Sequence, residues 1–413
     1  MAPVRRLLVV SALALAMTAL APAADVSASH GHRREVRFST FNASLNRATA
    51  GELRADLDAA IDGDVDPKLG AVLEIIDRND PDVLLVNEFD TGTDGDRRAV
   101  AMFARLAGYR YFFTAPSNTG IPSGFDLNNN GVIGGGDDAF GFGAFPGQFG
   151  LAVFSKYPID TRKVRTFQRF RWADMPGAML PKNPDGSSFY SDEELEVLRL
   201  SSKSHWDVPI RVGRGRVVHF LVSHPTPPVF DGPEDRNGRR NFDEIRFWSD
   251  YVSPGRASRY IYDDEGRRGG LRRNASFVIA GDQNSDPLDG DSVPGAIQQL
   301  LDHPRVNTRI TPDSEGAVEA SQRQGGINAS HLSDPRFDTA DFSDRAPGKL
   351  RADYVLPSKD LRIRQAGVFW PRPGEPGSEL TGEFPFPSSD HRLVWVDVAT
   401  RGRRCSPSAG HAP

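Results

Sequence analysis

Asn42, Glu88, His224, Asp282, Asn284, Asp353, Asp390 and His391 all stand at the ends of short apolar runs. Asn42 follows Arg37-Phe-Ser-Thr-Phe41, Glu88 follows Asp82-Val-Leu-Leu-Val-Asn87, and His224 follows Val217-Val-His-Phe-Leu-Val-Ser223. Asp282 and Asn284 come after Phe277-Val-Ile-Ala-Gly281, Asp353 precedes Tyr354-Val-Leu356, and Asp390-His391 precedes Arg392-Leu-Val-Trp-Val396. Carboxylates beside an asparagine suit a hard cation such as Mg²⁺, which takes oxygen ligands and keeps several waters. A histidine titrates near neutral pH, and a buried carboxylate behind it fixes its tautomer. Together these types fit attack of water on an anionic ester, where a cation neutralises developing charge and a positioned base prepares the water. Singly each has a plainer reading, since Asn and Asp form turns and caps and a strand-edge His is often only hydrogen-bonded. Six such strand ends in sequence order argue for chemistry.

The elements that must hold them alternate irregularly. Strand patterns cover residues 36–41, 82–87, 150–154, 206–211, 216–223, 276–280, 354–356, 361–368 and 392–398. Leu69, Val72, Leu73 and Ile76 recur at helical spacing within 68–77, and Asn79-Asp-Pro81 stops that helix. Further helical patterns occupy 96–107, 239–252 and 293–301. This alternation predicts an α/β sandwich. Ligands commonly converge beyond the ends of strands in α/β sheets. Three stretches, 114–148, 167–195 and 307–350, lack regular pattern and read as insertions that shape the mouth of a site.

On Phe41-Asn42, Val86-Asn-Glu88, Ser223-His224-Pro225, Gly281-Asp282-Gln283-Asn284, Ala352-Asp353-Tyr354 and Ser389-Asp390-His391, the sequence resembles the endonuclease/exonuclease/phosphatase family. That family spans deoxyribonucleases, abasic-site endonucleases, inositol polyphosphate phosphatases and bacterial sphingomyelinases. Gln283 departs from it, because an aromatic residue more often precedes the asparagine. The resemblance implies a deoxyribonuclease-I-like four-layered α/β sandwich, two packed mixed sheets flanked by helices, over residues 33–399. It implies Glu88 as the principal Mg²⁺ (or Mn²⁺) ligand, with Asn42 and Asp390 near the metal. Asp282 and Asn284 resemble the pair that positions the nucleophilic water and contacts the phosphate, His391 oriented by Asp353 the catalytic histidine, and His224 the second histidine.

A separate motif lies in the first insertion. Asp126, Asn128 and Asn130, then Gly131, the carbonyl of Val132 and Asp137 reproduce the spacing of a calcium loop, with Asp where Glu is usual. Calcium there would order the insertion. Lys203 and His205, before a strand, are candidate contacts for substrate phosphate. Asp235, Arg240 and Asn241 follow as possible pocket residues, and Arg267-Arg268 with Arg272-Arg273 form a basic cluster.

Met1 to Arg6, an apolar run from Leu7 to Leu20 and small residues at 21–28 form the pattern of an export signal, with cleavage after Ala23, Ala24 or Ala28. The run is too short to span a bilayer, which takes ~20 apolar residues, so the expectation is a secreted chain. One cysteine, Cys405, permits no internal disulfide. The tail 400–413 reads as disordered. The net charge of −5 becomes more negative once Arg5 and Arg6 leave, which argues against a global field for binding nucleic acid. The expected function is a secreted, divalent-metal-dependent phosphoesterase acting on small, lipid-derived or nucleic-acid phosphate esters. The alternatives are a secreted nuclease that degrades DNA and a non-catalytic calcium-dependent binding module on the same fold.

Overall fold

Residues 35–399, except 93, 94 and 214, are described by the computed structural model. The export signal at 1–28 and the tail 400–413 with Cys405 lie outside the described residues. The described chain begins with strand β1 (Glu35–Leu45), crosses helices α1 (Glu52–Ile61) and α2 (Pro67–Asn79), and returns as β2 (Val83–Phe89), parallel to β1. Helix α2 starts where Asp66 accepts a hydrogen bond from the Leu69 N–H at 2.9 Å and Pro67 fills the first turn, both favoured start signals. Helix α3 (Arg97–Leu106) leads to β3 (Tyr111–Phe113) and β4 (Gly150–Ser155). Then come β5 (Arg165–Thr166), α4 (Asp192–Val197), β6 (His205–Val212), β7 (Arg216–Ser223), α5 (Arg236–Val252) and β8 (Ser276–Asp282). The last part holds α6 (Gln298–Leu301), α7 (Glu315–Gln324), the short pair β9 (Ala340–Asp341) and β10 (Lys349–Leu350), β11 (Asp353–Pro357), β12 (Ile363–Val368), α8 (Ser378–Thr381) and β13 (Val394–Ala399).

The strands form two mixed sheets, one in the order β12-β13-β1-β2-β4-β3 and the other β11-β8-β7-β6-β5. Side chains alternate across a strand, so each sheet has two faces. Phe38, Leu85, Val153 and Val396 of the first sheet pack with Val208, Phe220, Val278 and Val355 of the second in one apolar layer between them. The opposite parity, Phe41, Leu84, Val86 and Phe154, packs on Leu57, Val72, Ile76 and Phe103 of α1 to α3. Leu221, Phe277, Ile279 and Tyr354 pack outward on Trp248 and Tyr251 of α5 and on Phe167 and Trp172 of the second insertion. Helices, sheet, sheet and helices make the four-layered sandwich that the resemblance implied.

The third insertion departs from expectation, because α7 forms within it. Gly316, Ala317 and Ala320 are its buried residues, a face of small side chains that gives almost no apolar periodicity to read. Trp370 lies so close that a Cβ on Gly316 would sit 1.9 Å from its carbonyl oxygen. The expected helix over 293–301 shrinks to the four residues of α6.

Gly281, the residue before the last of β8, has φ 148°, and a Cβ there would stand 1.9 Å from the Ser223 carbonyl on the neighbouring strand β7. Gly281→Ala is therefore expected to push β7 from β8 and lower the unfolding free energy by about 3 kcal/mol or more, read as a lower denaturant midpoint.

Candidate active site

The two sheets bring their polar strand ends to one edge. Antiparallel register places Asp353 of β11 directly opposite Asp282 of β8, and parallel register sets Asn42 of β1 beside Asn87 of β2, one residue before Glu88. The pairing of β1 with β2 shifts between Asn42 and Leu45, and that of β2 with β4 between Asn87 and Phe89. At these irregularities Ser44 (φ 46°) and Glu88 (φ 57°) turn left-handed, as Asn284 (φ 49°) does two residues beyond β8. Such conformations cost on the order of 1–3 kcal/mol in a non-glycine residue and cluster where a side chain must be aimed.

Asp282 is the junction. Its Oδ2 accepts a hydrogen bond from Asn42 Nδ2 at 3.1 Å and lies 3.3 Å from His224 Nε2 and 3.6 Å from His391 Nε2. Its Oδ1 accepts from the Asn284 backbone N–H at 2.9 Å. The same Asn42 amide donates to Glu88 Oε1 at 3.0 Å, tying the two carboxylates together. His391 Nδ1 stands 2.8 Å from Asp353 Oδ2. Asp353 is in turn held by Thr339, whose Oγ1 donates to the same oxygen at 2.8 Å and accepts from the N–H groups of Ala352 and Asp353. Ser389 Oγ accepts from the His391 N–H and donates to the Asn42 carbonyl at 2.7 Å, locking the end of β1 against the turn before β13. Asp390 takes a 3.3 Å hydrogen bond from Ser44 and lines the same cavity.

Burial and neighbours push the two histidines apart. Burial alone disfavours the charged form of His391, but the facing Asp353 and Asp282 outweigh it and hold its pKa well above the usual histidine value. Burial pulls His224 down to about 4, and Lys203 adds to the effect. His224 is thus neutral, with Nε2–H pointing at Asp282 and Nδ1 unpartnered, while His391 is the cation. Burial would raise Asp282, but His391 and His224 hold it ionised, well below the ordinary carboxylate range.

The donor set fits a divalent cation. Glu88, Asp282 and Asp390 line one cavity, and the Asn42 amide is the side-chain donor to the Glu88 carboxylate. Burial, Asp390 and Asp282 all push Glu88 towards protonation, a conflict that a cation relieves. Asp282, Asp353 and His391 also form a compact group with ligand atoms within 4.8 Å of one another. Because His391 Nδ1 is committed to Asp353, a cation bound here would be held by Glu88 and Asp390, which line the cavity, with Asn42 as the amide that fixes Glu88.

The sequence profile of the Endonuclease/Exonuclease/phosphatase family matches residues 40–391. The chain belongs to this family. Solved structures resemble it at low identity. An endonuclease/exonuclease/phosphatase from Beutenbergia cavernae is 18% identical with a TM-score of 0.48, over 89% of this chain and 72% of that one. The human Nocturnin catalytic domain with bound sulfate is 16% identical with a TM-score of 0.40, over 88% and 93%. A Staphylococcus aureus beta toxin variant with bound magnesium ions is 13% identical with a TM-score of 0.41, over 88% and 99%. No curated relative matches the chain.

Other expected contacts of this family member fall differently. Lys203 does line the cavity. His205 does not reach it: it is fully buried, with Nδ1 2.6 Å from Ser201 Oγ, Nε2 2.9 Å from the Glu244 carbonyl and its ring against Phe247 and Trp248. Asn241 is also fully buried and spends its amide on the carbonyls of Thr226 and Gln283, fixing two loops that carry His224 and Asn284. Arg240 lines the cavity, whereas Asp235 pairs with Arg239 at 4.0 Å. In the basic cluster, Arg267 pairs with Asp263 and Glu265. In the 126–137 loop, oxygens of Asp126, Asn128 and Asn130 accept hydrogen bonds from the N–H groups of residues 130–132. Asp137 is among the residues that line the cavity, and its neighbour, buried Asp138, accepts from the N–H groups of Leu127 and Gly134. Sequence reasoning missed Thr339, an unmarked residue in the third insertion, and Glu244, one turn of α5 beyond Arg240. Glu244 accepts hydrogen bonds from the N–H groups of Ser202 and Thr226.

Burial holds His205 at about 4 against an ordinary value of 6.5, so it folds neutral. A depressed histidine loses its stabilising contribution as pH falls, here between 6.5 and 4, by on the order of 3 kcal/mol. His205→Phe is expected to flatten that part of the acid loss of unfolding free energy, whatever its effect at neutral pH. An unchanged slope in urea titrations between pH 6.5 and 4 would sink the assignment.

Proposed function

We propose that this chain is a divalent-metal-dependent phosphoester hydrolase. One observation carries the reading: a single buried carboxylate oxygen, Asp282 Oδ2, lies within 3.6 Å of a cationic and a neutral histidine and of the Asn42 amide that reaches Glu88. A bound Mg²⁺ or Mn²⁺, faced by Glu88, Asn42 and Asp390, would supply positive charge to the phosphoryl oxygens. Asp282, kept ionised, accepts a hydrogen bond from the attacking water and orients its lone pair toward phosphorus. Asn284, held by its backbone N–H on Asp282 Oδ1, presents its side chain to the same cavity. His391, charged through Asp353, donates toward the phosphoryl group and holds the proton that a leaving oxygen needs. His224 shields the other side of Asp282 without adding charge.

The chain is also read as exported through residues 1–28. Among the described residues no helix is long and apolar enough to cross a membrane. The alternative of a DNA-degrading nuclease is supported by family membership alone, since its basic cluster is partly tied up in ion pairs.

Purified protein with Mg²⁺ is expected to hydrolyse p-nitrophenyl phosphate or its diester, and EDTA to abolish that. His391→Ala should lower kcat by roughly 10²–10⁴-fold and also lower the melting temperature, because Asp353 and Asp282 lose their buried cation. Activity that persists in EDTA, or in His391→Ala, overturns the mechanism. The calcium expectation for the 126–137 loop has its own check: Ca²⁺ should raise the melting temperature of wild type and not of Asp126→Ala, and equal shifts in both would rule the loop out.

A further inference from the structure

The cavity over the candidate metal carboxylates has a second wall of different character. Its volume is about 930 Å³. Lys203 reaches this wall from the segment before β6 and is 8% exposed. Its ammonium donates one long hydrogen bond, 3.4 Å to the Pro225 carbonyl, and forms no ion pair among the described residues. The nearby Glu244 carboxylate is occupied by the N–H groups of Ser202 and Thr226 and by Ser202 Oγ. Arg240 joins the same wall, its guanidinium fixed on the carbonyls of Phe140, Arg199 and Leu200, again without an ion pair among the described residues. Buried cations are ordinarily paired, because desolvation of a lone charge is costly. On this wall the two cations face the single buried carboxylate of Glu244, and the Lys203 ammonium, with its one long hydrogen bond, keeps donors free for an anion that comes from outside. An apolar stretch of the lining, Phe142, Phe149, Pro227, Val229, Phe230 and Leu350, stands beside the polar Asp137, Arg236, Asn237 and Asp291.

We propose that the site is built for phosphomonoesters of apolar or aromatic alcohols, with Lys203 as the residue that selects the monoester. This rests on the hydrolase reading above. A monoester carries a second negative charge near neutral pH and a third terminal oxygen, both of which a diester lacks. His391, with a cation that Glu88 and Asp390 would hold, would answer one charge on the carboxylate side of the cavity, and Lys203 answers the other from the opposite wall. Water adds to phosphorus, the P–O bond to the alcohol breaks, and the alcohol leaves with a proton, giving ROH and inorganic phosphate. The apolar wall takes the R group. A cleft of this volume suits a small molecule, whereas a polynucleotide needs a basic track along its backbone.

The test compares wild type, Lys203→Met and Lys203→Arg with Mg²⁺ on p-nitrophenyl phosphate and bis-p-nitrophenyl phosphate, with calorimetric binding of inorganic phosphate and thermal melts alongside. Wild type should favour the monoester in kcat/KM. Lys203→Met should lose roughly 10- to 100-fold on the monoester and much less on the diester, and Lys203→Arg should recover part of the loss. The phosphate affinity of Lys203→Met should fall by a similar factor, with the thermal melt showing that the variant is folded. A preference for the diester, or equal losses on both esters, overturns the proposal. If wild type hydrolyses neither ester, the hydrolase reading is what fails. Phosphate binding then decides the anion site: weaker binding in Lys203→Met supports it and unchanged binding overturns it. Should Lys203→Met not fold, Lys203→Gln carries the same comparison.

Discussion

Everything at the site hangs on keeping Asp282 ionised where water is scarce. A carboxylate buried at the end of a strand would ordinarily take up a proton, and here two histidines, an asparagine amide and a backbone N–H prevent it. Each of those partners arrives from a different element: Asn42 on β1, His224 after β7, His391 before β13. Two sheets must therefore pack in one register for the charge to be tolerated. The apolar layer between them, with Phe38 against Phe220 at 5.5 Å between ring centres, is what holds that register. Neither sheet alone could build the site.

The same constraint explains where the backbone departs from regular geometry. Side chains of a regular strand alternate between core and outer face, so a residue meant for the rim has to leave that alternation. Ser44, Glu88 and Asn284 do so with left-handed conformations at or just beyond strand ends. Asn87, one residue earlier, stays buried and links the sheets through Thr40 and the Ser223 carbonyl. Strain and packing thus alternate residue by residue along the same few strands.

Much of this architecture could be read from the chain because strands with apolar cores announce themselves. The segments around Phe41-Asn42 and Gly281-Asp282 form strands that reach or pass the residues singled out, and β13 begins three residues after His391. What escaped was whatever carries little side-chain signal. Helix α7 buries glycine and alanine, and Thr339 acts on Asp353 from fourteen residues away. His205 and Asn241 show the opposite failure. Their polarity suggested contact with substrate in the pocket, but both spend their donors on partners inside the core, and nothing in sequence spacing distinguishes a buried, hydrogen-bonded histidine from an exposed one.

The reacting groups come from strand ends, whereas the apolar wall comes from residues 142–149, 227–230 and 342–350, all outside the two main sheets. Chemistry and selectivity are consequently encoded in separable parts of the chain. Apart from Phe342, whose ring packs edge-on against His391, wall residues such as Phe142, Val229 and Phe230 can be exchanged without altering the inter-sheet core, so a lineage carrying this fold can drift across substrates while staying folded. The insertions that looked like irregular excess in the sequence are, in evolutionary terms, the part of the protein free to explore.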